Sequence, residues 1–221
     1  MTAAKPPSAH LVGKLVVLRL KKFSDVDRDY SWRTDPELAD LDATSPIRLS
    51  LDEYGRHYRD ELEYPSPWSA RYAIETLDGT HIGNAMYYDI DRSKRQCELG
   101  IMIGNRDYWG RGYGTDAVLT LVRAIFEDAE MERVYLHTLD YNTRAQKSFR
   151  KAGFRDLQSV RRDRRDFLMM EVFREPWLQE FGSTGLRDAD ADHEAAPEAR
   201  DFGESYPPGS TPGSAEAPDL T

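Results

Sequence analysis

Residues 95–129 constrain the fold of this chain more than any other stretch. They read RQCELGIMIG, then NRDYWGRGYG, then TDAVLTLVRAIFEDA. The first part ends in a nearly continuous apolar run, the pattern of a strand covered on both faces. In the last part Ala117, Val118, Leu121, Val122, Ile125 and Phe126 recur at helical spacing and make one broad apolar face. Thr115 is placed to cap that helix, and Asp116 suits the positive end of its dipole. The next segment, ERVYLHTL (132–139), reads as a strand again, so the helix is a right-handed crossover between two strands. The loop between carries Gly110, Gly112 and Gly114 in alternation. Glycine costs backbone entropy, so such a cluster requires a reason: a tight turn, a close helix contact or a bound anion. A helix N-terminus has unpaired N–H groups and a partial positive charge, and a loop without Cβ atoms lets them approach a phosphate. The segment reads as a diphosphate cradle.

The rest of the chain surrounds this unit with a mixed sheet. KLVVLRL (14–20) predicts a strand. Residues 24–39 predict a helix that breaks at Pro36, and residues 50–62 a second helix opened by Ser50 with Glu53 three residues on. The period then changes. ARYAIET and THIGNAMYYDI flank an Asp78-Gly79 turn, a hairpin signal. After 132–139 come a short helix (143–152) and strands near 154–160 and 166–173, with RRDRR (161–165) as their turn. The expected fold is mixed α/β: about seven mostly antiparallel strands flanked by about four helices, over residues 11–181. Residues 1–10 are expected to be loose, and 182–221, rich in Pro, Gly, Ser and acidic residues, to be a disordered tail.

Charge narrows the function. The net charge of −9 lies mostly in that tail, where nine acidic side chains face only Arg187 and Arg200. The remainder stands at −2 and shows no basic face for nucleic acid. No apolar run approaches the ~18 residues of a membrane span, and MTAAKPPSAH lacks the apolar core of a secretory signal. Cys97 is the only cysteine, which fits a reducing cytoplasm. Next to Glu98 on a strand it faces the opposite side, and is expected to pack in the core. His57, His81 and His137 are scattered without metal-ligand spacing, so no metal is expected.

Two cofactor families compete for the glycines. Gly112, Gly114 and Ala117 satisfy G-x-G-x-x-G/A, and Asp140 ends the following strand as a ribose-binding carboxylate would, which points to an NAD-binding oxidoreductase. In that motif, however, the strand runs straight into the first glycine, whereas NRDYWGR intervenes here, and the N-terminal half offers a hairpin in place of βαβ units. The other match is closer. ELGIMIGNRDYWGRGYGTDAV followed by NTRAQKSFRKAGF (142–154) resembles the GNAT acetyltransferases, most of all their RimJ/RimL-like branch, over residues 13–177.

The resemblance implies a sheet whose two central strands splay apart around acetyl-CoA. It implies that the main chain of Trp109, Gly110, Arg111, Gly112, Tyr113, Gly114 and Thr115 wraps the diphosphate. Met102 and Ile103 would pair with the pantetheine arm like an extra strand. Asn142 would bind the arm from the other side, with Ala145 and Phe149 on the same wall. Many members begin the loop with Gln or Arg; Trp109 stands there in this chain, as in the RimL-like branch. The acceptor implied is an amine: a small molecule such as an aminoglycoside or polyamine, or a protein N-terminus. Homodimers are common among relatives.

An amine near its reference pKa of about 10.4 is ammonium at neutral pH and must lose a proton before it attacks a carbonyl. The site therefore needs a base, an oxyanion donor and, unless the thiolate leaves unprotonated, an acid. The resemblance places Glu98 as the base, with Asp140 and Tyr141 in reserve, and a backbone N–H near Met102 as the oxyanion donor. The usual acids are absent: Phe149 stands where many members have tyrosine, and Ala145 where RimL-like members often have serine. Ser148, about 100° from Phe149 around the helix, is expected to face elsewhere. That gap leaves open a catalytically weak acyl-CoA-binding module. Asp89, Asp91, Glu98 and Asp140 are expected to crowd the opening and favour a cation.

Overall fold

The computed structural model describes residues 7–127 and 129–182, all within the unit formed by residues 1–187. Residues 183–221 of the expected tail lie outside the described residues, as do residues 1–6. The chain begins with β1 (His10–Val12) and β2 (Val16–Leu20), where one strand is expected from the sequence. Gly13 makes the turn between them, its N–H donating to the Val16 carbonyl at 2.8 Å. A Cβ on Gly13 would sit 2.5 Å from Asp116 Oδ2, so glycine alone lets this turn rest on the helix below.

The helical stretch splits as its proline requires. α1 (Val26–Thr34) ends at Asp35, which caps α2 (Pro36–Leu41) by accepting from the Glu37 and Leu38 amides, with Pro36 at the first helical position. α3 (Leu51–Glu63) opens on the Ser50–Glu53 capping box. β3 (Ala70–Thr76) and β4 (His81–Asp91) form the hairpin, with Gly79 at φ +84°. Then follow β5 (Gln96–Ile103), α4 (Tyr113–Glu127), β6 (Arg133–Leu139), α5 (Thr143–Lys151), β7 (Arg155–Arg162), β8 (Arg165–Phe173) and α6 (Arg174–Phe181). α4 starts two residues earlier than expected: the Asp116 amide donates to the Gly112 carbonyl at 3.0 Å, which puts Thr115 inside the first turn and not at the cap.

The described strands form one sheet in the order β1-β2-β3-β4-β5-β6-β8-β7. Among the described residues there are eight strands where about seven are expected, the extra one being β1, and six α-helices where about four are expected. The added helices are α2, separated by Pro36, and α6, whose eight residues carry too short a pattern to register. Every neighbouring pair is antiparallel except β5 and β6. That single parallel pair rules out the doubly wound sheet on which an NAD-binding fingerprint depends.

The pairing of β5 with β6 covers only Gln96–Glu98 against Arg133–Tyr135, although β5 continues to Ile103 and β6 to Leu139. The two strands therefore part beyond Glu98. One face of the sheet holds the core, where Leu121, Val122, Ile125 and Phe126 of α4 meet Cys97, Leu99, Val134 and Leu136, all nearly inaccessible. Each such side chain contributes roughly 1.5–3 kcal/mol on burial. α6 closes one end, with Trp177 packed 5.7 Å from Phe126 and its indole N–H donating to the Ala152 carbonyl.

At the far end of β5, Gly104 lies against Trp32 of α1. A Cβ there would come within 2.2 Å of the indole. Gly104→Ala forces the ring off its edge contact with His81 and is expected to cost about 1–3 kcal/mol, the range for overpacking a filled site. A urea midpoint equal to that of the unsubstituted protein would refute this.

Candidate active site

Beyond the fork of β5 and β6 lies a cleft of about 390 Å³. Its walls are the end of β5 (Ile101, Met102, Ile103), the glycine loop, the first turn of α4, one face of α5, and Leu38, Leu41 and Asp42 around the end of α2. The three glycines divide the work. Gly110 and Gly112 sit at φ +70° and +92°, where an L side chain is strained, and they turn the loop. Gly114 is helical; a Cβ there would face Ile103 and Ser148 across the cleft at 3.6 and 3.7 Å. Its bareness keeps the passage open. The amides of Tyr113, Gly114 and Thr115, ahead of the first intrahelical bond, have no intrahelical acceptor and form the positive end of the helix dipole.

Most of the expected cofactor residues meet in this cleft. Met102, Ile103, Trp109, Gly110, Gly112, Gly114 and Thr115 line it, as do Asn142, Ala145 and Phe149. Arg111 and Tyr113 do not; Arg111 lies near the Tyr108 and Tyr113 rings and donates to the Asp107 carbonyl. Trp109 is fixed by its indole N–H, which donates to the Ile103 carbonyl at 2.6 Å, and by Arg144, whose guanidinium stands 3.4 Å from the ring centroid. Asn142 caps α5, its side-chain oxygen accepting from the Ala145 amide. That bond uses the oxygen and leaves the amide NH₂ as the donor of a residue on the cleft wall.

Two features of α5 differ from the expectation. Ser148 faces the cleft, with its Oγ 2.8 Å from Thr115 Oγ1. Its angle from Phe149 does not take it out of the cleft, because Phe149 lines the cleft from its buried side while Ser148 lies one turn beyond Ala145 and shares its side of the helix. Arg144, Lys147 and Lys151 also line the cleft and were missed. Their spacing of three and four residues in TRAQKSFRK is a helical-face signal, legible once residues 143–151 are read as a helix. They give the wall three positive charges. The RRDRR turn contributes elsewhere: Arg165 donates to the Asp40 and Thr44 carbonyls, and Arg161 pairs with Asp166 at 3.7 Å.

Glu98 sits at the fork itself. It is the last β5 residue paired with β6, is 8% exposed, and lies on the same strand face as Met102. Its Oε1 is 2.8 Å from Nδ1 of His137 on β6. Tyr88 lies opposite on β4, and its phenol is pushed up by burial and then by the Glu98 charge, with a contribution from Asp42 of the cleft wall. Burial and Glu98 also raise the Tyr135 phenol. Cys97 points into the core as expected, fully buried, its thiol pushed up to about 12 by desolvation and so unsuited to act as a nucleophile.

The reserves stand farther out. Tyr141 is 53% exposed, with its hydroxyl donating to Asp40 at 2.9 Å; burial and then that bond raise its phenol. Asp140 is exposed, and its backbone carbonyl accepts from Gln146. The expected acidic opening is not built from the expected residues. Asp91 is engaged by the Ser93 and Lys94 amides in the β4–β5 turn, and Asp89, Asp91 and Asp140 are not part of the cleft wall; its carboxylate is Asp42, paired with Arg33 at 3.0 Å. Among the described residues there is no cluster of three or more metal-ligating side chains, and no helix is long and apolar enough to cross a membrane.

Comparison with known proteins agrees with this geometry. The family described as acetyltransferase (GNAT) domain matches residues 16–155. An aminoglycoside N(6')-acetyltransferase type 1 of Klebsiella pneumoniae is 26% identical over 152 residues, covering 63% of this chain and 73% of the relative; the protein of that name from Serratia marcescens matches to the same extent. Among solved structures, spermidine N-acetyltransferase from Vibrio cholerae in complex with CoA and spermine superposes with a TM-score of 0.67 at 18% identity, over 74% of this chain and 98% of that one. An aminoglycoside acetyltransferase in complex with coenzyme A gives a TM-score of 0.63 at 22% identity, over 76% of this chain and 99% of that one. These two likenesses are of fold.

Proposed function

The chain belongs to the GNAT acetyltransferase family, and we propose that it transfers the acetyl group of acetyl-CoA to a primary amine within a ternary complex, with Glu98 as the base. The observation that carries this reading is the cleft at the β5–β6 fork, which joins a glycine-turned helix N-terminus to a wall bearing Arg144, Lys147 and Lys151. Those groups fit a diphosphate-containing cofactor: amides and cations for its phosphates, and the edge of β5 that β6 leaves beyond Glu98, opposite its pairing with β4, for an extended amide chain. Bound acetyl-CoA supplies the acetyl carbonyl and the thiolate leaving group.

The protein's own residues then have separable tasks. The first-turn amides of α4 and the α5 cations hold the anionic end. Asn142 and the Met102–Ile103 backbone orient the arm, and a β5 amide near Met102 is the donor for the oxyanion. Glu98 takes the ammonium proton, directly or across one water, in a site where desolvation strengthens its field. Ser148 Oγ, held by Thr115, is the hydroxyl on the cleft wall that stands in for the acids missing at Ala145 and Phe149. Carboxylates at Asp42 and Glu98 suit a cationic acceptor, the character of both the aminoglycoside and the spermidine named for the relatives.

Thermal denaturation with acetyl-CoA or NAD, followed by thiol release with a panel of polyamines, aminoglycosides and peptide N-termini, tests the reading. Acetyl-CoA at 100 times its Kd is expected to stabilise the fold by about 2.7 kcal/mol, NAD by nothing, and at least one amine is expected to release thiol. Stabilisation without thiol release from any amine would replace transfer with acyl-CoA binding alone.

A further inference from the structure

We infer that His137 is the positioning partner of Glu98, and that the two side chains work as one unit. The inference rests on the reading of Glu98 as the base. His137 stands on β6 two residues beyond the last pair with β5, and its Nδ1 lies 2.8 Å from Glu98 Oε1 across the opening fork. Both side chains are close to nine-tenths buried, at 7% and 11% exposure. The other ring nitrogen, Nε2, is buried without a hydrogen-bond partner among the described residues.

Those facts select a tautomer. A carboxylate is an acceptor, so the nitrogen bonded to it carries the hydrogen. The opposite tautomer would set a nitrogen lone pair against Oε1 and bury an N–H with nothing to receive it. His137 therefore donates Nδ1–H to Glu98. The ring is held edge-on between Tyr135 at 6.0 Å and Phe167 at 6.5 Å, so the donor does not wander. One carboxylate oxygen is thus fixed by His137; the carboxylate also accepts from the Tyr88 hydroxyl, and a remaining lone pair receives the acceptor's proton. The arrangement follows the general rule that a base works best when a third group orients it.

A clasp that merely joined the two strands would look the same in a static structure, and the variants separate the two roles. His137→Asn keeps an N–H near the position of Nδ1; His137→Leu keeps the volume and removes the donor. At saturating acetyl-CoA, His137→Asn is expected to retain kcat within about fivefold, and His137→Leu to lose about 10–100-fold, the range for removing a group that orients a reacting one. KM for acetyl-CoA should be unchanged in both. Nitrogen NMR on the unliganded wild-type protein, with the His137 signal assigned by its loss in His137→Asn, should report the Nδ1–H tautomer. An Nε2–H tautomer, or equal kcat in the Asn and Leu variants, would overturn the inference. Glu98→Gln separates it from the reading beneath: wild-type kcat in that variant would remove Glu98 as base, while the NMR result would still decide whether His137 donates to it.

Discussion

Glu98→Gln is expected to lower kcat by about 10²–10⁴-fold, the contribution of a positioned general base, with KM for acetyl-CoA little changed. The separation follows from placement. Glu98 stands at the fork of β5 and β6, outside the lining of the cofactor cleft, whereas the groups assigned to the cofactor lie on the glycine loop, α4, α5 and the far end of β5. Gln matches Glu in size and keeps an oxygen for the His137 N–H, so the packing around Tyr88, Tyr135 and His137 survives while the negative charge and the proton-accepting site are lost. The pH dependence supplies a second signature. An amine of pKa about 10.4 gains free base tenfold per pH unit below that value. Without a protein base, the variant's rate should climb with that slope through neutral and mildly alkaline pH, and its deficit should narrow. Thiol release measured from pH 7 to 9 checks both; equal kcat at pH 7 would transfer the role to another carboxylate, with Asp42 on the cleft wall the first to test.

Much of this arrangement was legible in the sequence, because the strongest signals are local. The glycine loop, the apolar face of α4, the Ser50–Glu53 box and the Asp78-Gly79 turn each specify their structure within a few residues, and the structure contains all of them. What sequence reading missed depends on contacts far apart in the chain. Gly13 reads as an unremarkable residue before a strand until Asp116, 103 positions away, is found against it; that contact makes β1 a separate strand. α6 follows β8 without a loop, and its anchor is one tryptophan. His137 looked like a scattered histidine because its partner is 39 residues distant and the register of a parallel crossover is not written in either strand. Ser148 departs from expectation for a different reason: the cleft is wide enough to take in two neighbouring positions of α5, Ser148 and Phe149, although they stand about 100° apart on the helix.

Asp116 has the largest expected effect on stability. Its carboxylate accepts from the amides of Lys14, Leu15 and Val16, at 3.1, 2.7 and 3.1 Å, so one buried side chain of α4 ties the β1–β2 turn to the helix that follows the glycine loop. A hydrogen bond to a charged group contributes about 1.5–3 kcal/mol, but the three do not simply add. Lys14 and Leu15 are exposed, and their amides regain water when the carboxylate is removed; Val16 is fully buried and its amide does not. Asp116→Ala is therefore expected to cost about 2–4 kcal/mol, which for a domain of this size lowers Tm by roughly 5–15 °C. Asp116→Asn should recover little, because its NH₂ would face N–H donors where the second oxygen now accepts. The same anchor bears on function, since the turn braces the first turn of α4 beside the cleft. If that brace preorganises the loop, saturating acetyl-CoA should stabilise the Ala variant less than the wild type, through a weaker Kd. Denaturation of both proteins with and without acetyl-CoA measures the two effects together. A Tm within a degree of wild type would show that water replaces the carboxylate at no cost, and an unchanged increment with acetyl-CoA would confine Asp116 to the fold.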